Sequence, residues 1–197
     1  MKTIVISGTP GCGKTSVSKK IAERVNVKII SLNKLAISKH LSLDYDSYRE
    51  TYIVETKSLI PLLKKEVERI KKKRPDFLII EGHFSDIVPE SYINYVFILR
   101  CDPDELKKRL EKKGYKIKKI RENIQAEILG NCVNYFIQKR MKIPLIEIDT
   151  TNISIENIAK IIIEILVKNK NVDNHKVGNV DWLEKIFREN RLKEFFD

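Results

Sequence analysis

Hydrophobic residues recur along the chain in two alternating modes. Short, nearly continuous aliphatic runs occupy 3–7, 27–32, 77–81, 95–100 and 145–149. Runs of that length and continuity predict strands covered on both faces. Between them apolar residues return every three or four positions, which predicts helices over 14–25, 56–73, 103–113, 117–141 and 153–168. Strands alternating with helices predict an α/β fold with a parallel sheet, right-handed crossovers and chemistry at the carboxyl ends of the strands.

The pattern changes near the end. After a main domain over 1–169, the polar stretch 170–179 reads as a linker, and 180–197 reads as an amphipathic helix. Asp181 with Glu184 three places on resembles a capping box, and Trp182, Leu183, Ile186 and Phe187 fall on one face. That aromatic face needs a cover, either the body of the protein or a partner chain.

At 197 residues with 42% hydrophobic content, the chain suits one domain with a real core. No run approaches eighteen apolar residues and the first strand starts at once, so a soluble cytoplasmic chain with no membrane contact is expected. Three scattered cysteines, Cys12, Cys101 and Cys132, suggest neither a disulfide framework nor a zinc site. The net charge is +11, and 107–121 holds nine Lys or Arg against one acid, Glu111. That cluster is either a solvated helix face or a surface for polyanions, nucleotide phosphates or RNA.

The candidate chemistry lies after the first strand. Residues 8–15 read GTPGCGKT, a GxxxxGKT loop between a strand and a helix. Its glycines let successive N–H groups turn inward as an anion site, and the helix start adds its positive end. Lys14 is expected on the β- and γ-phosphates of ATP, and the Thr15 hydroxyl on Mg²⁺. Cys12 sits at a helix start, where a thiol can be acidified; the alternative is a variable loop position without chemistry. The third strand ends in Glu81, suited to hold Mg²⁺ through water. His83 follows, where a neutral imidazole can orient or deprotonate an attacking water, or is a loop residue without a task.

The stretches "GTPGCGKTS", "EGHF" and "RLEKKGYKIKKIRENIQAEI" together resemble the adenylate kinase isoenzyme 6 family, over roughly residues 4–152. The resemblance implies a three-layer α/β/α P-loop NTPase of the nucleoside monophosphate kinase type, with a five-stranded parallel sheet. It implies transfer of phosphoryl from Mg·ATP to AMP or dAMP, an accompanying ATPase activity, and a role in small ribosomal subunit maturation. The partners it implies are the small-subunit protein uS11 and pre-rRNA; the alternative is an ATP-switched assembly chaperone whose kinase activity is incidental. Oligomeric state stays open.

By the same resemblance, Gly11, Cys12, Gly13, Lys14, Thr15 and Ser16 cradle the ATP phosphates. Asn152 and Ile153 contact adenine, and Arg109 closes on the phosphates from a short lid at 108–118. The acceptor segment spans 31–56, with Lys34, Lys39 and Arg49 as acceptor-binding candidates. Where related kinases carry a phosphate-gripping arginine, this chain has Ile37, and a flexible ammonium does not replace a guanidinium fork.

Overall fold

A computed structural model of the chain describes residues 1–38, 42–46, 51–168 and 172–196, of which 42–46 and 51–54 are described by their backbone alone. Its framework is a five-stranded sheet made of β1 (Lys2–Gly8), β2 (Val27–Ser31), β5 (Phe77–Glu81), β6 (Tyr95–Arg100) and β7 (Leu145–Asp149). All its pairings are parallel, and the order across the sheet is β2-β5-β1-β6-β7. A separate antiparallel hairpin, β3 (Ser42–Asp46) and β4 (Thr51–Val54), interrupts the acceptor segment.

The strands match the five predicted runs because both faces of the sheet are covered. In β1, Ile4 and Ile6 point into one core and Val5 into the other. In β6, Phe97 and Leu99 alternate in the same way with Val96 and Ile98. One core is closed by α1 (Lys14–Ala22), α4 (Pro103–Lys112), α5 (Ile117–Ile128) and α7 (Ile155–Lys168). The other is closed by α2 (Leu32–Ser38), α3 (Thr56–Lys71) and α6 (Asn131–Gln138). This is the three-layer α/β/α architecture, with the first core also taking Ile186 and Phe195 from the carboxyl-terminal segment.

Two features differ from the sequence pattern. The predicted helix 117–141 is two helices, because Gly130 adopts a left-handed conformation (φ 64°) and caps α6. The break lets α5 and α6 serve opposite faces of the sheet. The terminal helix is likewise two pieces, α8 (Trp182–Arg188) and α9 (Leu192–Phe196), turning at Asn190 (φ 56°).

The terminal segment lies on the body. The Asp181 carboxylate caps α8 by accepting the Glu184 N–H at 2.8 Å. Ile186 is fully buried and Phe195 nearly so, while Leu183 and Phe187 remain exposed at 40% and 65%. The buried stripe is therefore narrower than the sequence face suggests. Lys185 pairs with Asp102 and Arg191 with Asp104, both at the start of α4. The described part of the polar stretch before α8 is also bound: Lys176 bridges to Ile146, and the Gly178 N–H donates to Glu147 at 3.0 Å. Among the described residues no helix is long and apolar enough to cross a membrane.

Candidate functional site

The order of strands sets β1 in the middle, so its carboxyl end opens between β5 and β6. There Gly8 pairs with Leu99. A Cβ on Gly8 would stand 2.4 Å from the Leu99 carbonyl oxygen, so only glycine permits this approach. Gly11 is equally constrained: its φ is +102° and a Cβ would meet Leu106 Cδ1 at 2.5 Å. Between them the chain makes a tight turn, with the Cys12 N–H donating to the Thr9 carbonyl at 3.2 Å. Helix α1 then starts at Lys14 with no side-chain cap and no acid in its first turn. Its leading N–H groups have no intrahelical acceptor and carry the positive end of the helix dipole. A sequence that leaves a helix start uncapped under a glycine turn forms an anion site.

A cleft of about 520 Å³ opens in front of this loop, lined by Gly11, Gly13, Lys14, Thr15 and Ser16. Buried Glu81 and Gly82 form its floor beside them, and Ser31, Asn33 and Lys34 form one wall. The opposite wall is Tyr115, Lys119 and Asn123 of the lid segment and α5. Lys14 Nζ donates to the carbonyls of Gly8 at 2.6 Å and Thr9 at 3.1 Å, lying across the loop. Burial lowers its pKa from the ordinary lysine value, so the ammonium is held at a cost that a nearby anion would relieve. The Thr15 hydroxyl donates to Glu81 Oε2 at 3.1 Å. These two hard oxygen donors suit a divalent cation that keeps most of its water and phosphate ligands. Among the described residues no cluster of three His, Cys, Asp or Glu side chains forms a metal cage.

His83 stands at the cleft rim, its ring edge-on to Phe84 with centroids 4.7 Å apart. Although the ring keeps solvent contact, the surrounding protein, and then the charges of Lys14 and Lys119, push its pKa down to about 4. At neutral pH the imidazole is uncharged and able to accept a proton.

The other predicted residues fall in two groups. Asn152 and Ile153 lie exposed on the turn after β7, outside the cleft lining. Arg109 is with them: its guanidinium donates to the carbonyls of Thr150 at 2.8 Å and Thr151 at 3.1 Å, and its Nε to Glu105 at 2.9 Å. Arg109 rests here between two carbonyls of the turn after β7 and the carboxylate one helical turn back. Ile37 is 62% exposed and offers no charge. Lys39 and Arg49 lie outside the described residues. Cys12 points its thiol into the core beside Glu127, and burial followed by the Glu127 charge raises its pKa well above the usual value. The helix start therefore does not acidify it, and of the two readings of Cys12 the loop position without thiol chemistry is the one that fits.

The sequence reading passed over Glu127, Arg100 and Glu147, three charged residues buried together under the loop. Arg100 Nε donates to Glu127 at 2.7 Å, and its NH1 group to Glu147 at 2.5 Å. Glu127 also accepts the Thr9 hydroxyl at 2.5 Å. A signal was present: Glu127 lies three places after Ile124 and one before Ile128, on the buried stripe of α5.

A family model described as an AAA domain matches residues 4–130. A protein of Methanocaldococcus jannaschii named "Putative adenylate kinase" is 39% identical over 184 residues, covering 93% of this chain and 94% of that one. One of the same name from Methanosarcina barkeri is 36% identical, covering 93% and 98%. Among solved structures, a shikimate kinase from Acinetobacter baumannii overlays with a TM-score of 0.59 at 13% identity, covering 87% of this chain and 96% of that one. A tunicamycin resistance protein from Deinococcus radiodurans overlays at 0.56 with 15% identity, covering 84% and 95%. At such identities the overlays speak for the fold alone.

Proposed function

Since the chain belongs to the archaeal family of the adenylate kinase isoenzyme 6 type, and so to the P-loop nucleotide kinases, we propose that it transfers the γ-phosphoryl of Mg·ATP to AMP or dAMP, giving ADP from AMP and ATP. One observation carries this reading: an uncapped helix start, Lys14, and the Thr15–Glu81 oxygen pair share one cleft with Lys34 on its facing wall. Phosphoryl transfer asks for positioning and charge neutralisation more than for a covalent catalyst, and these groups supply both. The loop N–H groups from Gly11 to Ser16 take the phosphate oxygens, and Lys14 leaves its carbonyls for the γ-phosphate. Thr15 and Glu81 would hold Mg²⁺, which would neutralise phosphate charge when bound with the nucleotide. Arg109 exchanges the carbonyls of Thr150 and Thr151 for the phosphates as the lid closes, and Asn152 and Ile153 contact adenine. Lys34 attracts the acceptor phosphate, with Lys39 and Arg49 as further acceptor groups.

The same cleft supports slow ATP hydrolysis. A water near the γ-phosphate has the neutral His83 imidazole as its proton acceptor. We place the activity in the cytoplasm, where three free, buried cysteines are at home. The test is product analysis of the full chain with ATP plus AMP, with ATP alone, and with ATP plus shikimate. ADP formed from labelled AMP supports the kinase reading. Bound Mg·ATP with no conversion of AMP overturns it.

A second reading is an ATP-switched assembly factor for the small ribosomal subunit, acting with uS11 and pre-rRNA. It rests on the resemblance and on the exposure of Lys107, Lys108, Lys112, Lys113, Lys116 and Arg121 along the lid and its neighbours. A chain of net charge +11 gains nothing electrostatically from a basic protein, so RNA is the partner that its charge favours. Capture of uS11 or RNA that depends on ATP supports this reading, and capture indifferent to ATP opposes it.

A further inference from the structure

Thr9 is a junction that phosphate binding does not itself explain. Its hydroxyl donates to Glu127, while its carbonyl accepts both the Lys14 ammonium at 3.1 Å and the Cys12 N–H at 3.2 Å. Pro10 follows, lacking an N–H and restricting the backbone of Thr9. The orientation of the peptide between Thr9 and Pro10 therefore fixes two things together: where the Lys14 amine rests, and the pitch of the turn that aims the N–H groups of Gly11 and Gly13.

Glu127 reaches this junction from 118 residues away in sequence, and it is 1% exposed. One of its oxygens takes the Thr9 hydroxyl. The other takes Arg100 Nε at 2.7 Å and the Cys101 N–H at 3.1 Å. With both oxygens tied to protein donors, the carboxylate has one orientation. Pairing with buried Arg100 accounts for a carboxylate on this otherwise apolar stripe, but it occupies only one of the two oxygens. The second oxygen, committed to the Thr9 hydroxyl, extends the buried pair to the loop.

We propose that Glu127 is a positioning residue for triphosphate binding, holding Thr9 so that the loop 8–15 keeps its N–H groups converged. Helix α5 carries Lys119 and Asn123 into the cleft wall as well as Glu127 under the loop, so the same contact fixes the spacing between wall and loop. The proposal rests on the loop being the phosphate site.

The test uses the full chain and two probes, Mg·ATP and inorganic tripolyphosphate, titrated calorimetrically beside thermal unfolding. Thr9→Val removes the hydroxyl and leaves the Arg100–Glu127 pair intact; Thr9→Ser keeps it; Glu127→Gln weakens both contacts. Loss of a hydrogen bond to a charged group is expected to weaken tripolyphosphate binding by about tenfold in Thr9→Val. The KM for ATP should rise in step while kcat changes less, the midpoint of unfolding should fall by only a few degrees, and Thr9→Ser should recover both affinity and midpoint. Glu127→Gln should weaken binding and lower the midpoint further. A wild-type chain that binds neither probe overturns the phosphate-site reading and this proposal with it. Wild-type binding with an unaltered Thr9→Val, a Thr9→Ser as weak as Thr9→Val, or an affinity loss that follows unfolding midpoints alone overturns the proposal by itself.

Discussion

Replacing Ile186 with alanine tests whether the carboxyl-terminal helices belong to the fold or only rest on it. Ile186 is fully buried and shares a core with α4, α5 and the sheet. The substitution deletes three carbons, worth about 0.8 kcal/mol each in transfer. The unfilled space raises the cost to roughly 2–5 kcal/mol. The polar clips of this segment do not compensate: Lys185–Asp102 and Arg191–Asp104 are partly exposed pairs, worth about 0–1 kcal/mol each. For a chain of this size each kcal/mol lowers the midpoint by about 2–4 °C, so a drop of roughly 5–15 °C is expected. Trp182 is the chain's one tryptophan and lies on α8, so its fluorescence follows this segment while far-ultraviolet circular dichroism follows the whole. Coincident urea transitions, displaced together by the mutation, indicate one cooperative unit. The reasoning fails if the tryptophan transition moves alone and the circular dichroism curve stays in place.

Three further outcomes are expected. Arg100→Met leaves Glu127 and Glu147 buried with no cation between them and should cost about 3–5 kcal/mol in urea unfolding; a loss under 1 kcal/mol contradicts the buried network. Gly11→Ala forces a β-carbon against Leu106 at 2.5 Å with φ at +102°, so stability and Mg·ATP affinity should fall together, and unchanged titration curves would refute the loop geometry. His83 has a folded pKa of about 4, below its unfolded value near 6.5, so the stabilisation present above pH 6.5 is withdrawn as pH falls towards 4. His83→Gln should flatten that part of the stability profile and slow ATP hydrolysis more than transfer to AMP; an identical pH profile in the variant excludes the neutral imidazole.

Much of the fold was legible because burial on both faces writes itself as uninterrupted apolar runs, as in β1 and β6. The loop 8–15 was legible because its backbone needs glycines at fixed places. What escaped depends on partners distant in sequence. Gly130 reads as one tolerated glycine in a helical pattern until α5 and α6 are seen to serve different layers. Leu183 and Phe187 match the periodicity of Trp182 and Ile186, yet only the second pair meets the body. Arg100 and Glu147 sit in strand runs and Glu127 on a buried helical stripe, so each could be read as buried, but nothing local states that the three meet. Arg109 rests on the carbonyls of Thr150 and Thr151, a contact that nothing in its own helix announces.

The late position of Ile186 and Phe195 has a consequence for biosynthesis. Both complete the core between the sheet and α5, yet they follow every other member of that core in sequence. On a chain made from its amino end, that side of the interior stays open to water until α8 and α9 have been added. A chain cut before α8 would thus expose a greasy surface while already carrying the whole loop 8–15.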